Sequence, residues 1–149
     1  MKERYQEFMK TSKLSFDYFS STRLIINRQN VMDSLIKEAQ KKPNVLSRGT
    51  TFSVKFKGEP GIDCGGPSKE FFDLFGTRLM ANELNLFSIN SEGRLNLSNK
   101  AHLMKNSEEI CEMVGKVVGK AVTQGKYLGI GFSDTLCRYL MDRELNQTY

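Results

Sequence analysis

Apolar residues recur along this chain with two different periods, and the switches between them predict its elements. Thr51 to Lys57 alternates strictly, with Phe52, Val54 and Phe56 on one side and Thr51, Ser53, Lys55 and Lys57 on the other. That is the period of a half-buried strand. Leu24-Ile25-Ile26 is a shorter apolar run, rich in β-branched side chains, and predicts a second strand. Elsewhere the period is helical. Tyr5, Phe8 and Met9, then Phe16 and Phe19, predict an amphipathic helix over Tyr5 to Thr22 with an interruption near Thr11–Lys13. Val31, Met32, Leu35, Ile36 and Ala39 share the face of another helix, which Asn30 is placed to cap and Pro43 ends.

Beyond the alternating strand, Gly58-Glu59-Pro60-Gly61 predicts a turn, and Ile62-Asp63-Cys64-Gly65-Gly66 leads into a helix with Pro67 at its first position, where its missing N–H costs nothing. Phe71, Phe72, Leu74, Phe75, Leu79 and Met80 give that helix a wide apolar face. Asn82 to Lys105 is polar and predicts a long connection, with one hairpin of Phe87–Ile89 against Arg94–Leu97 around Glu92-Gly93. Asn106, with Glu109 three residues on, predicts a capping box for a helix that buries Ile110, Val114, Val117, Val118, Ala121 and Val122 and ends at Gly125. Ser133 caps a last helix whose Leu136, Cys137, Leu140 and Met141 are expected to face inward. The fold class is α+β, mostly helical with a few short strands. The sequence reaches Tyr149 with no shift in composition, as expected of a chain that is cut rather than finished.

Composition narrows the function classes. At 149 residues, 39% hydrophobic and mean hydropathy −0.43, the chain is an ordinary globular domain able to bury a core without metal or disulfide. No apolar stretch nears the ~20 residues of a membrane span, and the first thirty residues carry no signal-peptide apolar block. The three dispersed cysteines fit a reducing intracellular compartment, cytoplasmic or nuclear. The net charge of +5 arises in residues 1–50, which hold ten basic and five acidic side chains. Those charges are interspersed with acids and aromatics, so a solvated helical face explains them better than a nucleic-acid interface.

Candidate chemistry is sparse. Gly61-Ile62-Asp63-Cys64-Gly65-Gly66-Pro67-Ser68 has the glycine spacing of a phosphate-binding loop, but Pro67 stands where such a loop needs its lysine. The glycines are better explained by a tight strand-to-helix passage, with Asp63 accepting hydrogen bonds from the turn. Cys64 lies at a helix start but beside Asp63, while Cys111 and Cys137 fall on apolar helix faces and predict core packing. His102, the only histidine, sits among lysines in the polar connection. Gly115 and Gly119 are expected to admit another element close to their helix. No cofactor and no metal are predicted, since no Cys/His ligand spacing is present.

Phe52-Ser53-Val54-Lys55-Phe56, Gly58-Glu59-Pro60-Gly61-Ile62-Asp63-Cys64-Gly65-Gly66 and Lys69-Glu70-Phe71-Phe72 together resemble the HECT family of ubiquitin-protein ligases. Three further segments agree in order: Arg28-Gln29-Asn30-Val31, the run from Val114-Gly115-Lys116 to Gly119-Lys120-Ala121-Val122, and Phe132-Ser133 followed by Leu140. The resemblance implies the larger part of the family's amino-terminal lobe over residues 1–149. It also implies a chain lacking the subdomain that binds the ubiquitin-conjugating enzyme and the carboxy-terminal lobe with the catalytic cysteine. Such a chain is a scaffold fragment, inactive alone, of an enzyme that takes ubiquitin onto a cysteine as a thioester and passes it to substrate lysines. No catalytic residue carries over to this sequence. Asp63, Gly65, Gly66, Glu70 and Phe72 match family positions as scaffold, and Leu86 and Phe87 are a candidate contact for ubiquitin or a partner. The full-length ligase would have ubiquitin, a conjugating enzyme and protein substrates as partners. The alternatives are a stand-alone module that binds ubiquitin or another protein and, more weakly, a basic nucleic-acid-binding domain.

Overall fold

The apolar runs at Thr22–Ile26 (β1) and Phe52–Phe56 (β2) pair in parallel, with Leu24 opposite Val54 and Ile26 opposite Phe56. In this computed structural model, which describes residues 22–61 and 63–146, the connection between them is helix α1, Val31–Lys41. A parallel pair requires such a crossover. The register puts Leu24, Ile26, Phe52, Val54 and Phe56 on one face of the sheet, and all five are buried. Val31, Met32 and Leu35 of α1 belong to the same core. The helix expected over residues 5–22 lies outside the described residues, except that Thr22 opens β1.

Helix α2, Gly66–Met80, lies at the centre of the core. Phe71, Phe72 and Phe75 are fully buried, and the Phe71 ring meets Phe52 edge-on at 5.9 Å and Phe72 at 5.3 Å. Aromatic edges directed at aromatic faces give this cluster a fixed geometry as well as a large apolar area. Asn82, in the left-handed conformation, ends α2 as glycine commonly does elsewhere, and its amide bonds the Leu79 carbonyl at 3.0 Å. The chain then forms the predicted hairpin, Phe87–Ile89 (β3) antiparallel to Leu95–Leu97 (β4). Residues 131–133 run along the outer side of β4, where Leu95 donates to Gly131 and accepts from Ser133.

Helix α3, Ser107–Thr123, closes with Gly125 at φ 64°, where Gly125 and Lys126 donate back to Val122 and Ala121. This pair of hydrogen bonds is the Schellman arrangement that glycine makes possible. Lys120 points inward and is buried; its ammonium donates to the Ser47 carbonyl at 2.6 Å, to the Thr50 carbonyl and to Thr50 Oγ1 at 3.1 Å. It thereby ties α3 to the loop before β2, and burial lowers its pKa. Helix α4, Asp134–Asn146, is capped as expected by Ser133, whose Oγ accepts from the Leu136 amide.

Several expectations need correction. Neither Asn30 nor Asn106 makes a side-chain cap. Asn106 sits at φ 59° and enters α3 through a left-handed turn, while Ser34, a turn inside α1, accepts the Asn27 amide. Val122 is 41% exposed, because the buried face of α3 is turned toward Met113 and Lys120, on the opposite side of the helix. Met141 is 66% exposed rather than inward, and Leu136 and Cys137 are half-buried; the side chain of Leu140 lies outside the described residues.

The close approach expected at Gly115 and Gly119 occurs elsewhere. Both glycines face open space on α3. Gly76 of α2 is the crowded one, since a Cβ there would lie 1.8 Å from the Leu128 carbonyl oxygen. The segment after α3 therefore crosses directly over the backbone of α2. Urea unfolding separates the two situations. Gly76→Ala should cost about 3 kcal/mol or more, because backbone must move. Gly115→Ala and Gly119→Ala should each stabilise by roughly 0.5–1 kcal/mol through helix propensity alone.

Candidate functional site

Where β2 passes to α2, the chain must turn back within a few residues, and glycines make this possible. Gly61 and Gly65 hold φ of 135° and 106°, a region closed to side chains with a Cβ except under strain. Asp63 sits between them and organises the turn. Its Oδ2 accepts the Val54 amide at 2.7 Å, its Oδ1 accepts the Gly65 amide at 2.9 Å and the Ser68 amide at 3.4 Å, and the Ser68 hydroxyl donates to Oδ2. Burial alone would raise the Asp63 pKa. The Ser68 hydroxyl and the three amides outweigh it and hold the carboxyl below its ordinary value. An internal carboxylate therefore fills the place at the start of α2 where a phosphate-binding loop would hold its ligand.

A second cluster flanks this turn. Arg28, from the loop between β1 and α1, lies over the Phe56 ring with Cζ 4.1 Å from its centroid. Its guanidinium meets Glu59 through Nε at 2.7 Å and Nη2 at 2.9 Å, and Glu70 through Nη1 and through Nη2 at 3.2 Å. Hydrogen bonds that Arg28 donates to Glu59, then to Glu70, raise its pKa further, and the Glu59 carboxyl is correspondingly lowered. The planar fork joins the β1–α1 loop, the turn after β2 and the first half of α2. The Arg28 and Glu59 partnership is absent from any local pattern, since it spans 31 residues.

The structure brings Asp63, Gly65 and Gly66 together in the turn, places Glu70 at its rim and buries Phe72 completely in the aromatic cluster. Ser68, buried and bonded to Asp63, belongs to the same site; the hydroxyl that follows the glycine pair is the signal that could have found it. Leu86 and Phe87 do not have the exposure that a contact surface needs. They are 0% and 7% exposed and fasten the long connection to the core.

No acid–base or nucleophile–base set assembles here. Cys64 is exposed, and His102 is on the surface in the short 3-10 turn Ala101–Leu103. Burial pushes the Cys111 thiol up, away from a reactive thiolate. Among the described residues no three His, Cys, Asp or Glu side chains converge as metal ligands, and no helix is long and apolar enough to cross a membrane. Of the basic residues in the first third, Arg28, Lys37 and Lys42 are in ion pairs with Glu59 and Glu70, Asp33 and Glu38. What this site does chemically is hold strand, turn and helix in one arrangement.

The Asp63 carboxyl gives a signed pH dependence. Because its pKa is depressed on folding, its contribution is complete above the unfolded value and is lost as pH falls through the folded one. Asp63→Asn should cost about 2–3 kcal/mol at pH 7, because it removes the charge and sets an amide donor against two of the four donors around the carboxylate. That cost should shrink as pH falls below about 4, the range in which the unfolded aspartate protonates. Urea midpoints of both proteins at pH 7, 4 and 3 test this, and a cost constant across the series contradicts it.

No protein-family model matches the chain. It is similar to the TOM1-like E3 ubiquitin-protein ligase of Neurospora crassa, at 25% identity over 131 residues, covering 86% of this chain and 3% of that protein. It is also similar to ubiquitin-protein ligase E3B of Homo sapiens, at 29% identity over 126 residues, covering 80% of this chain and 12% of that protein. Alignments of such length over this chain necessarily include the β2–α2 junction. The chain thus spans a small part of the two curated relatives, and its similarity is to ubiquitin-protein ligases.

Proposed function

We propose that this chain is the scaffold part of the amino-terminal lobe of a HECT-type ubiquitin-protein ligase. In the full-length enzyme, ubiquitin passes from a conjugating enzyme to a cysteine as a thioester and then to substrate lysines. The observation that carries the reading is the similarity to two ubiquitin-protein ligases across at least 80% of the chain, in a segment containing the Asp63 turn. The chemistry of the site is consistent with it. Arg28, Glu59, Asp63, Ser68 and Glu70 at the junction are all engaged by one another or by backbone amides, which suits a rigid platform. The transferring cysteine belongs, on this reading, to a part of the ligase other than residues 1–149, and this chain by itself is inactive.

A charging experiment tests the proposal. Activating enzyme, a panel of conjugating enzymes and labelled ubiquitin are combined with this chain, and in parallel with the protein encoded by the reading frame continued past Tyr149. The chain should remain unlabelled, and the longer protein should gain an adduct that reductant removes. A reducible adduct on the chain, lost in Cys64→Ser, Cys111→Ser or Cys137→Ser, would overturn the scaffold assignment. A longer protein that no conjugating enzyme charges would overturn the ligase mechanism.

A further inference from the structure

Among the described residues β1 and β2 form a sheet of two parallel strands, which leaves each strand with one unpaired edge. In the β1–β2 ladder Thr22 donates to Thr51 and Ile26 accepts from Lys57, so the alternate residues Arg23 and Ile25 direct their backbone groups outward. Two of those outward groups are occupied. Glu38 of α1 accepts the Ile25 amide at 3.1 Å, and Lys42, four residues on, donates to the Arg23 carbonyl at 2.6 Å. The two side chains are also paired with each other at 2.7 Å.

A strand added at this edge would present a carbonyl to Ile25 and an amide to Arg23. The Glu38 carboxylate and Lys42 ammonium stand in those two places with the same polarity. The bulk of α1 does not cover the edge, because an open trough of about 380 Å³ runs beside it, lined by Ile25, Asn27, Asp33, Lys37, Glu38 and Lys57. Ile25, β-branched and 44% exposed, offers the side chain that strand pairing favours. An open edge of this kind is a template for another chain, and a second copy brings the identical, self-complementary edge.

We propose that the Glu38–Lys42 pair acts as a surrogate strand on the outer edge of β1, preventing a second copy of this chain from extending the sheet. The first test uses the unaltered protein and amide hydrogen exchange. Ile25 should exchange about tenfold or more slowly than Arg23, whose outward amide has no such acceptor among the described residues. Equal rates at the two positions would overturn the proposal.

The second test is Glu38→Ala/Lys42→Ala, whose alanines keep α1 helical, examined by sedimentation velocity at 0.15 M salt. It should self-associate at concentrations where the parent does not. Adding Ile25→Pro, which deletes the outward amide without touching the ladder to β2, should restore the parent's behaviour. Glu38→Gln/Lys42→Gln, which retains an acceptor and a donor, should sediment as the parent. A double-alanine variant that unfolds cooperatively and sediments as the parent at every concentration would overturn the proposal. Should that variant not fold, the exchange rates at Ile25 and Arg23 decide the matter alone.

Discussion

The carboxylate of Asp63 satisfies three backbone amides that would otherwise compete for partners at one crowded place. The Val54 amide lies on the outer edge of β2, the Gly65 amide in a left-handed turn and the Ser68 amide in the first turn of α2. A strand edge, a turn and a helix start each leave donors that their own geometry cannot satisfy. One ionised side chain serves all three, and so fixes the angle at which α2 leaves the sheet. The opposite edge follows the same logic with Glu38 on the Ile25 amide. Both carboxylates meet burial, which by itself raises their pKa, and both are held low by the donors around them. The two-stranded sheet thus has a carboxylate where each missing neighbour would be.

From that fixed departure angle the remainder of the packing follows. α2 buries Phe71, Phe72 and Phe75 in the core, where Phe52 of the sheet meets Phe71 and Phe72. On α2, Gly76 leaves no Cβ, so the chain after α3 crosses in contact with helix backbone. Lys120 then reaches from α3 to the loop before β2, and Arg28 joins the β1–α1 loop to α2 through Glu59 and Glu70. Polar groups at these joints are used for positioning. That is the property the proposed scaffold role requires.

Much of this fold is legible in the sequence because its signals are local. The alternation through Phe52, Val54 and Phe56, the hairpin around Glu92-Gly93, the Gly125 stop and the Ser133 cap all depend on residues a few positions apart. The Asp63 turn is legible for the same reason, since an acid between glycines has nearby amides to bind. What escapes is set by distance or by backbone geometry. Nothing near Gly76 marks it as the glycine that Leu128 overlies, and the G-x-x-x-G spacing at Gly115 and Gly119 draws attention to an open face. Lys120 reads as a surface residue until loop carbonyls 70 and 73 residues away are found around it. Leu86 and Phe87 look exposed in a polar stretch, yet the hairpin folds their side chains into the core. The left-handed backbone at Asn106 undoes a capping box that residue types alone support.

The central claim is that Asp63, ionised, holds strand, turn and helix together through its amide donors. Carboxyl-detected NMR titration of Asp63 tests it most directly, with the amide shifts of Val54, Gly65 and Ser68 followed in the same samples. The account predicts that the carboxyl titrates below the ordinary aspartate range and that the three amides move with it at the same midpoint. An Asp63 that titrates at or above the ordinary value, or amides that stay still while it does, would contradict it.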